Sequence, residues 1–161
     1  MNNVKSQPTL YVLVGAPASG KSTWVKQEIG KIGNCAYIST DHFVDEYAAA
    51  QGKTYNEVFK EYMPTAIHKM ADAVIAARAA GQNIIWDQTS MTVAARRKKF
   101  NMLPKYRAIA VVFPTPAPDE HARRLASRPG KNIPAEVVSS MINSFEMPTV
   151  AEGFDEVWYQ V

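Results

Sequence analysis

The chain has one cysteine, Cys35, in 161 residues, so no disulfide can form within it and no cysteine-rich zinc site is expected. Its three histidines, His42, His68 and His121, share no metal-ligand spacing and are expected to be structural or surface residues. No apolar run approaches the roughly 18 residues that a membrane span needs. The opening MNNVKSQPTL lacks the apolar stretch and small-residue cleavage site of a secretory leader. There is no internal repeat, low-complexity tract or long linker. These absences point to a soluble, cytoplasmic protein with no membrane partner. What is present, 47% hydrophobic residues, can bury a core and excludes wholesale disorder. The length suits a single domain over residues 1–161.

Net charge is small, +3, but its distribution is uneven. Residues 96–131 hold ten basic residues (Arg96, Arg97, Lys98, Lys99, Lys105, Arg107, Arg123, Arg124, Arg128, Lys131) and two acids, Asp119 and Glu120, a local +8. A basic segment in an otherwise mildly acidic chain suits a phosphate-rich ligand. Arg96–Lys99 alone reads equally well as the solvated face of a helix.

Apolar runs at 10–14, 35–39, 83–86, 108–113 and 157–161 read as strands, the first four nearly continuous, as strands buried on both faces should be. Helical spacing falls between them, at about 21–31, 41–51, 55–80, 92–103, 118–127 and 134–147. Thr54 with Glu57 forms a capping box, and Pro64 should kink or split the third helix. Across it, Met63, Ile67, Met70, Val74 and Ala77 form a stripe expected in the core. Alternating strands and helices predict an α/β fold: a parallel sheet of about five strands flanked by helices on both faces. In such sheets ligands bind at the carboxyl ends of the strands.

The loop after the first strand is Gly15-Ala16-Pro17-Ala18-Ser19-Gly20-Lys21-Ser22, which fits G-x-x-x-x-G-K-[ST] and is followed by Thr23 at the start of a helix. Glycines let the backbone wrap a phosphate with its N–H groups inward, and the helix adds its positive end. Lys21 would reach the β- and γ-phosphates of ATP, and Ser22 would ligate Mg²⁺. The D-x-x-G and N-K-x-D signatures of a GTPase are missing, because Asp87 is followed by Gln88-Thr89-Ser90. A compact P-loop domain of this kind is most often a small kinase.

Asp41 follows the second strand beside the expected phosphates, placed to take a proton from an attacking hydroxyl or to cap a helix. Asp87 follows the third strand and would either hold Mg²⁺ through Ser22 and water or touch the acceptor. Arg123, Arg124 and Arg128, before the Pro129-Gly130 break and Lys131, form a short lid whose arginines would meet the transferring phosphoryl group. Arg123 and Arg124 are adjacent on a helix, so they cannot both face inward.

GAPASGKSTW (15–24), the aspartate of STDHF, WDQTSMTVAARR and HARRLASRPGKNIP together resemble the kinase domain of bacteriophage polynucleotide 5′-hydroxyl kinase, over residues 10–141. The loop and the aspartate are shared with zeta-toxin-like enzymes; the arginine segment is more specific. The resemblance implies that Lys21 and Ser22 handle ATP and Mg²⁺, that Asp41 is the general base, that Arg128 with Arg124 clamps the donor phosphates, and that Asp87 lies near the acceptor. The family carries an arginine three residues after its catalytic aspartate, which holds the acceptor's phosphate; Val44 stands there in this chain, preceded by Phe43. The resemblance does not extend to the family's attached phosphatase domain. Stand-alone phage kinases that phosphorylate 5-hydroxymethyluracil within DNA belong to the same broad family. On this reading DNA is the partner, Phe43 and Val44 contact the acceptor, and Phe43, with Trp86 and Tyr47 as weaker candidates, stacks on a base; each of these rings reads equally well as core, and Trp86 better so. A 5′-hydroxyl kinase, a small-metabolite or nucleoside kinase, and a non-catalytic ATP-binding module are the alternatives.

Overall fold

A computed structural model describes residues 7–160. Val161, the end of the expected last strand, and residues 1–6 of the expected domain lie outside the described residues. The elements are β1 (Thr9–Val14), α1 (Lys21–Ile32), β2 (Cys35–Ile38), α2 (Thr40–Gln51), α3 (Tyr55–Ala79), β3 (Asn83–Asp87), α4 (Val93–Met102), β4 (Arg107–Val112), α5 (Pro118–Ala126), α6 (Ala135–Asn143) and β5 (Glu156–Tyr159). The five strands form one sheet in the order β2-β3-β1-β4-β5, parallel throughout. This is the α/β architecture of P-loop NTPases.

Period-two geometry divides the apolar run of β1 between two faces. Leu10, Val12 and Val14 join a core with Trp86, Ala110, Val112, Val74 and Phe154, while Leu13 joins Trp24, Val25, Ile85 and Val111 on the opposite side. β1 is central, so its carboxyl end opens midway along the sheet edge where ligands bind. The ends of β2 and β3 lie to one side of it and those of β4 and β5 to the other.

Pro64 does not split α3, which runs unbroken from Tyr55 to Ala79. Pro64 and Lys60 are both exposed, so water can satisfy the carbonyl left without its N–H partner. The first half of the helix packs through Val58 and Ala66 on Val44 and Ala48 of α2, and the second half through Val74 and Ala77 on the sheet. This change of partner leaves Ile67, expected in the core, exposed. No helix among the described residues is long and apolar enough to cross a membrane.

The Arg96–Lys99 quartet is not a solvated face. Arg97 and Lys98 are exposed, but Arg96 is 0% and Lys99 5% accessible. Arg96 Nε donates to Glu152 Oε1 at 2.6 Å, Nη1 to Ser90 O at 2.8 Å and Nη2 to Glu146 O at 2.9 Å, tying α4 to the chain that leads into β5. Lys99 has only the ring of Trp86, 5.0 Å from its Nζ, and forms no ion pair among the described residues. Burial lowers its pKa to about 8, with Lys98 and Arg96 adding to the shift. An unfolded lysine near 10.5 binds a proton that the folded one sheds between pH 8 and 10.5, so this group's penalty is full below pH 8 and relieved above it. Lys99→Met is therefore expected to raise stability by about 1–3 kcal/mol at neutral pH. In denaturant titrations the gain should shrink toward zero as pH rises from 8 to 10.5. A pH-independent gain would assign the effect to packing alone.

Candidate active site

The loop after β1 is built as its spacing requires. Gly15 N–H donates to Thr89 O at 3.0 Å. A Cβ on Gly15 would come within 2.7 Å of Ser19 Oγ and 3.0 Å of Phe113 Cβ, so glycine alone fits there. Ala18 and Gly20 adopt positive φ, 60° and 104°, and Gly20 leads into α1. Pro17, Ala18, Ser19, Gly20, Lys21, Ser22 and Thr23 line a cavity of about 920 Å³, whereas Gly15 and Ala16, also expected at the phosphates, are buried and do not line it. His121 of α5, buried, donates from Nε2 to Pro17 O at 2.8 Å and fastens the lid helix to this loop.

Lys21 Nζ donates to Gly15 O at 2.7 Å and Ala16 O at 3.2 Å. Burial lowers its pKa to about 8, opposed by the carboxylates of Asp87 and Asp41 and assisted by the guanidinium of Arg128. Four ionisable groups therefore act on one another across this cavity. A polyanion at Lys21 would restore the charge that burial opposes.

On the β2–β3 side lie Tyr37, Asp41, His42, Asp45, Tyr55, Asp87 and Lys131. Asp41 is in the first turn of α2 but does not cap it; Ser39 does, its Oγ accepting from His42 N–H. Tyr55 Oη donates to Asp41 Oδ1 at 2.6 Å. Tyr37 Oη donates to Asp87 Oδ2 at 2.5 Å, and burial, partly offset by that bond, raises the Asp87 pKa. On the β4–β5 side are Trp24, Gln27, Phe113 to Pro116, Arg124 and Gln160. Arg124 Nε donates to Glu120 at 2.9 Å and Nη1 to Ala18 O at 3.5 Å. Arg123 is bound to the same Glu120 but faces solvent. Arg128 lines the cavity with its Nη1 buried and unpartnered, an N–H donor awaiting an anion.

Two expected acceptor contacts are absent from this wall. Val44 is fully buried between α2 and α3, and Phe43 packs against the same cluster. The other two rings proposed for base stacking are also engaged. Trp86 is core, and Tyr47 stacks on Tyr62 with ring centroids 4.0 Å apart. Tyr37, Asp45 and Tyr55 are site residues that the sequence did not announce, and Lys131, read from the sequence as part of the lid, docks on Asp45. Only the adjacency of Tyr55 to the capping-box residue Thr54 could have drawn attention to it.

Among the described residues no group of three or more His, Cys, Asp or Glu side chains could hold a bare metal ion. A single hydroxyl, Ser22, and a single carboxylate, Asp87, fit instead a cation that arrives with phosphate oxygens completing its shell. Asp87 lies opposite Leu13 in the β1–β3 register, beside the start of the loop.

The model of the AAA_33 family, an AAA domain, matches residues 10–148. Among solved structures, one in the Pnkp1/Rnl/Hen1 RNA repair complex aligns with a TM-score of 0.70 and 23% identity over 89% of this chain and 45% of its own length. Kti12 of Chaetomium thermophilum, in complex with ADP-AlF3, aligns at 0.60 and 15% identity over 94% of this chain and 88% of its own. A gluconokinase from Sinorhizobium meliloti 1021 aligns at 0.52 and 16% identity over 94% and 81%. These likenesses describe a shared fold, and the chain spans less than half the length of the RNA-repair protein that it matches.

Proposed function

The chain belongs to the AAA_33 family, and from this premise we propose that it transfers the γ-phosphoryl group of ATP to a hydroxyl. The observation that carries the reading is the convergence of Lys21, Asp41 and the unpartnered Arg128 on one cavity at the P-loop. The loop N–H groups and Lys21 hold the donor phosphates. The acceptor oxygen bonds to the γ-phosphorus, the bond to the β–γ bridging oxygen breaks, and ADP leaves. Asp41 takes the hydroxyl proton. Arg128 meets the charge that spreads over the transferred group, and Arg124 supports the lid. Ser22 and, through water, Asp87 would hold Mg²⁺, which neutralises phosphate charge when bound. Lys21→Ala is expected to abolish transfer and leave circular dichroism unchanged; near-wild-type turnover would remove the P-loop as the catalytic centre.

For the acceptor we retain a hydroxyl on nucleic acid, foremost the 5-hydroxymethyl group of 5-hydroxymethyluracil in DNA, with the 5′-hydroxyl end next. The ground for the first is that α2 carries no arginine to clamp an acceptor phosphate, Val44 being buried against α3 and Asp45 facing the cavity; Tyr37 and His42, rather than Phe43, are the rings that line the cavity beside an acceptor. A specific observation favours a small uncharged metabolite as a second reading. The acceptor side carries Asp41, Asp45 and Asp87, and its Lys131 is already paired with Asp45. Moreover, Arg96 and Lys99 of the basic segment are internal. Labelled ATP offered with closed circular DNA containing 5-hydroxymethyluracil, a linear 5′-hydroxyl oligonucleotide and free sugars separates these. Label on the circle supports the first, label only on the linear DNA supports the second, and label only on a sugar overturns both.

A further inference from the structure

The lid is clasped to the first turn of α3. Asn56 N–H donates to Gly130 O at 2.9 Å, its Nδ2 donates to Asn132 O at 3.2 Å, and its Oδ1 accepts from Asn132 N–H at 3.1 Å. Gly130 has φ +68°, and a Cβ there would stand 2.7 Å from Thr54 Cβ, so loop and helix meet at a distance only glycine allows. Tyr55, between these two contact residues, lines the cavity and donates to Asp41 Oδ1 at 2.6 Å. Lys131 of the lid holds the same ring, its Nζ 4.8 Å from the centroid, while bonding Asp45 Oδ2 at 2.7 Å. One helical turn thus touches both the arginine-bearing lid and the carboxylate at the acceptor side. Burial and the bond to Asp41 raise the Tyr55 phenol above its ordinary range, so it stays a donor at neutral pH.

A carboxylate on an exposed helix turn rotates freely unless something holds one oxygen. Tying Oδ1 leaves Oδ2 free to accept from a reacting hydroxyl, and orientation of this kind is worth a large share of a barrier. We propose that Tyr55 is a positioning residue that orients Asp41 for proton abstraction while the lid is docked on α3, so that the arrival of Arg128 and the orientation of the base are one event. The proposal rests on the kinase reading above. Tyr55 keeps its proton throughout; the acceptor's proton goes to the free oxygen of Asp41.

Tyr55→Phe keeps the ring, its contact with Lys131 and its packing on Phe59. It is expected to lower kcat by about tenfold to a hundredfold, with affinity for a fluorescent ATP analogue changed by less than about twofold. In an Asp41→Ala background the same change should cost less than about twofold, because Tyr55 acts only through that carboxylate. Turnover is read with 5-hydroxymethyluracil DNA, a 5′-hydroxyl oligonucleotide and free sugars as acceptors. Equal losses in both backgrounds, or a parallel loss of nucleotide affinity, would overturn the proposal. A second measurement needs no acceptor. In protein labelled with carbon-13 at the tyrosine ζ position, the Tyr55 resonance, assigned by its loss in Tyr55→Phe, should move in Asp41→Asn and in Gly130→Val. A resonance unmoved by either change breaks the link between lid and base. Full activity of Lys21→Ala would instead defeat the kinase reading, and the resonance would still decide whether Tyr55 joins lid and Asp41.

Discussion

Arg128→Ala is expected to slow phosphoryl transfer by about 10³–10⁵-fold, whereas Arg123→Ala should leave it within about twofold. The two residues lie five positions apart on the same basic segment, yet their surroundings differ. The Arg123 side chain is 75% exposed and paired with Glu120, so its charge is screened and already engaged. Arg128 faces the cavity with Nη1 shut away from solvent and without a hydrogen-bond partner, and its charge reaches both Lys21 and Tyr55. A buried N–H left unpaired costs stability in the free protein. That cost is recovered when a transferring phosphoryl group supplies the acceptor oxygens. Arg128→Ala should therefore be at least as stable to denaturant as wild type while losing activity, a pairing that a structural arginine would not give. Single-turnover rates at saturating ATP make the comparison. Equal, small effects from both arginines would withdraw Arg128 from catalysis.

What could be read from the chain was what is local in it. The P-loop is contiguous, from Gly15 to Ser22, and its spacing is the chemistry itself. Asp41 and Asp87 were legible because each follows an apolar strand, and a parallel sheet gathers such ends along one edge. The failures came where distant residues set the environment. For Arg96 and Lys99 the sequence offered a phosphate-binding segment or a solvated face and not burial, because nothing near them in sequence announces Glu152, which reaches Arg96 across the α4 interface. Val44 was misplaced for a helical reason. Asp45, four residues after Asp41, returns to the cavity face, while Val44, three after, has turned onto α3. Tyr55 and Lys131 are 76 residues apart and meet only when the lid docks on α3, so no motif could pair them.

Asp41→Asn should lower kcat by about 10²–10⁴-fold, the usual contribution of a positioned general base, and leave nucleotide affinity nearly unchanged. The structural costs of the change are small and separable. Ser39 rather than Asp41 caps α2, so no cap is lost. Loss of an acid in the first helical turn weakens the dipole interaction by only about 0.3–1 kcal/mol. The asparagine side-chain oxygen can still accept from Tyr55 Oη, so the local geometry is kept. What the amide cannot do is take up the acceptor's proton, because it has no basic oxygen at neutral pH. A large fall in kcat with an unmoved denaturation midpoint is therefore the signature of the base. An unchanged kcat would leave Asp41 as a helix-dipole residue, and the carboxylate search would move to Asp87, which already holds one oxygen against Tyr37 and sits across the same cavity.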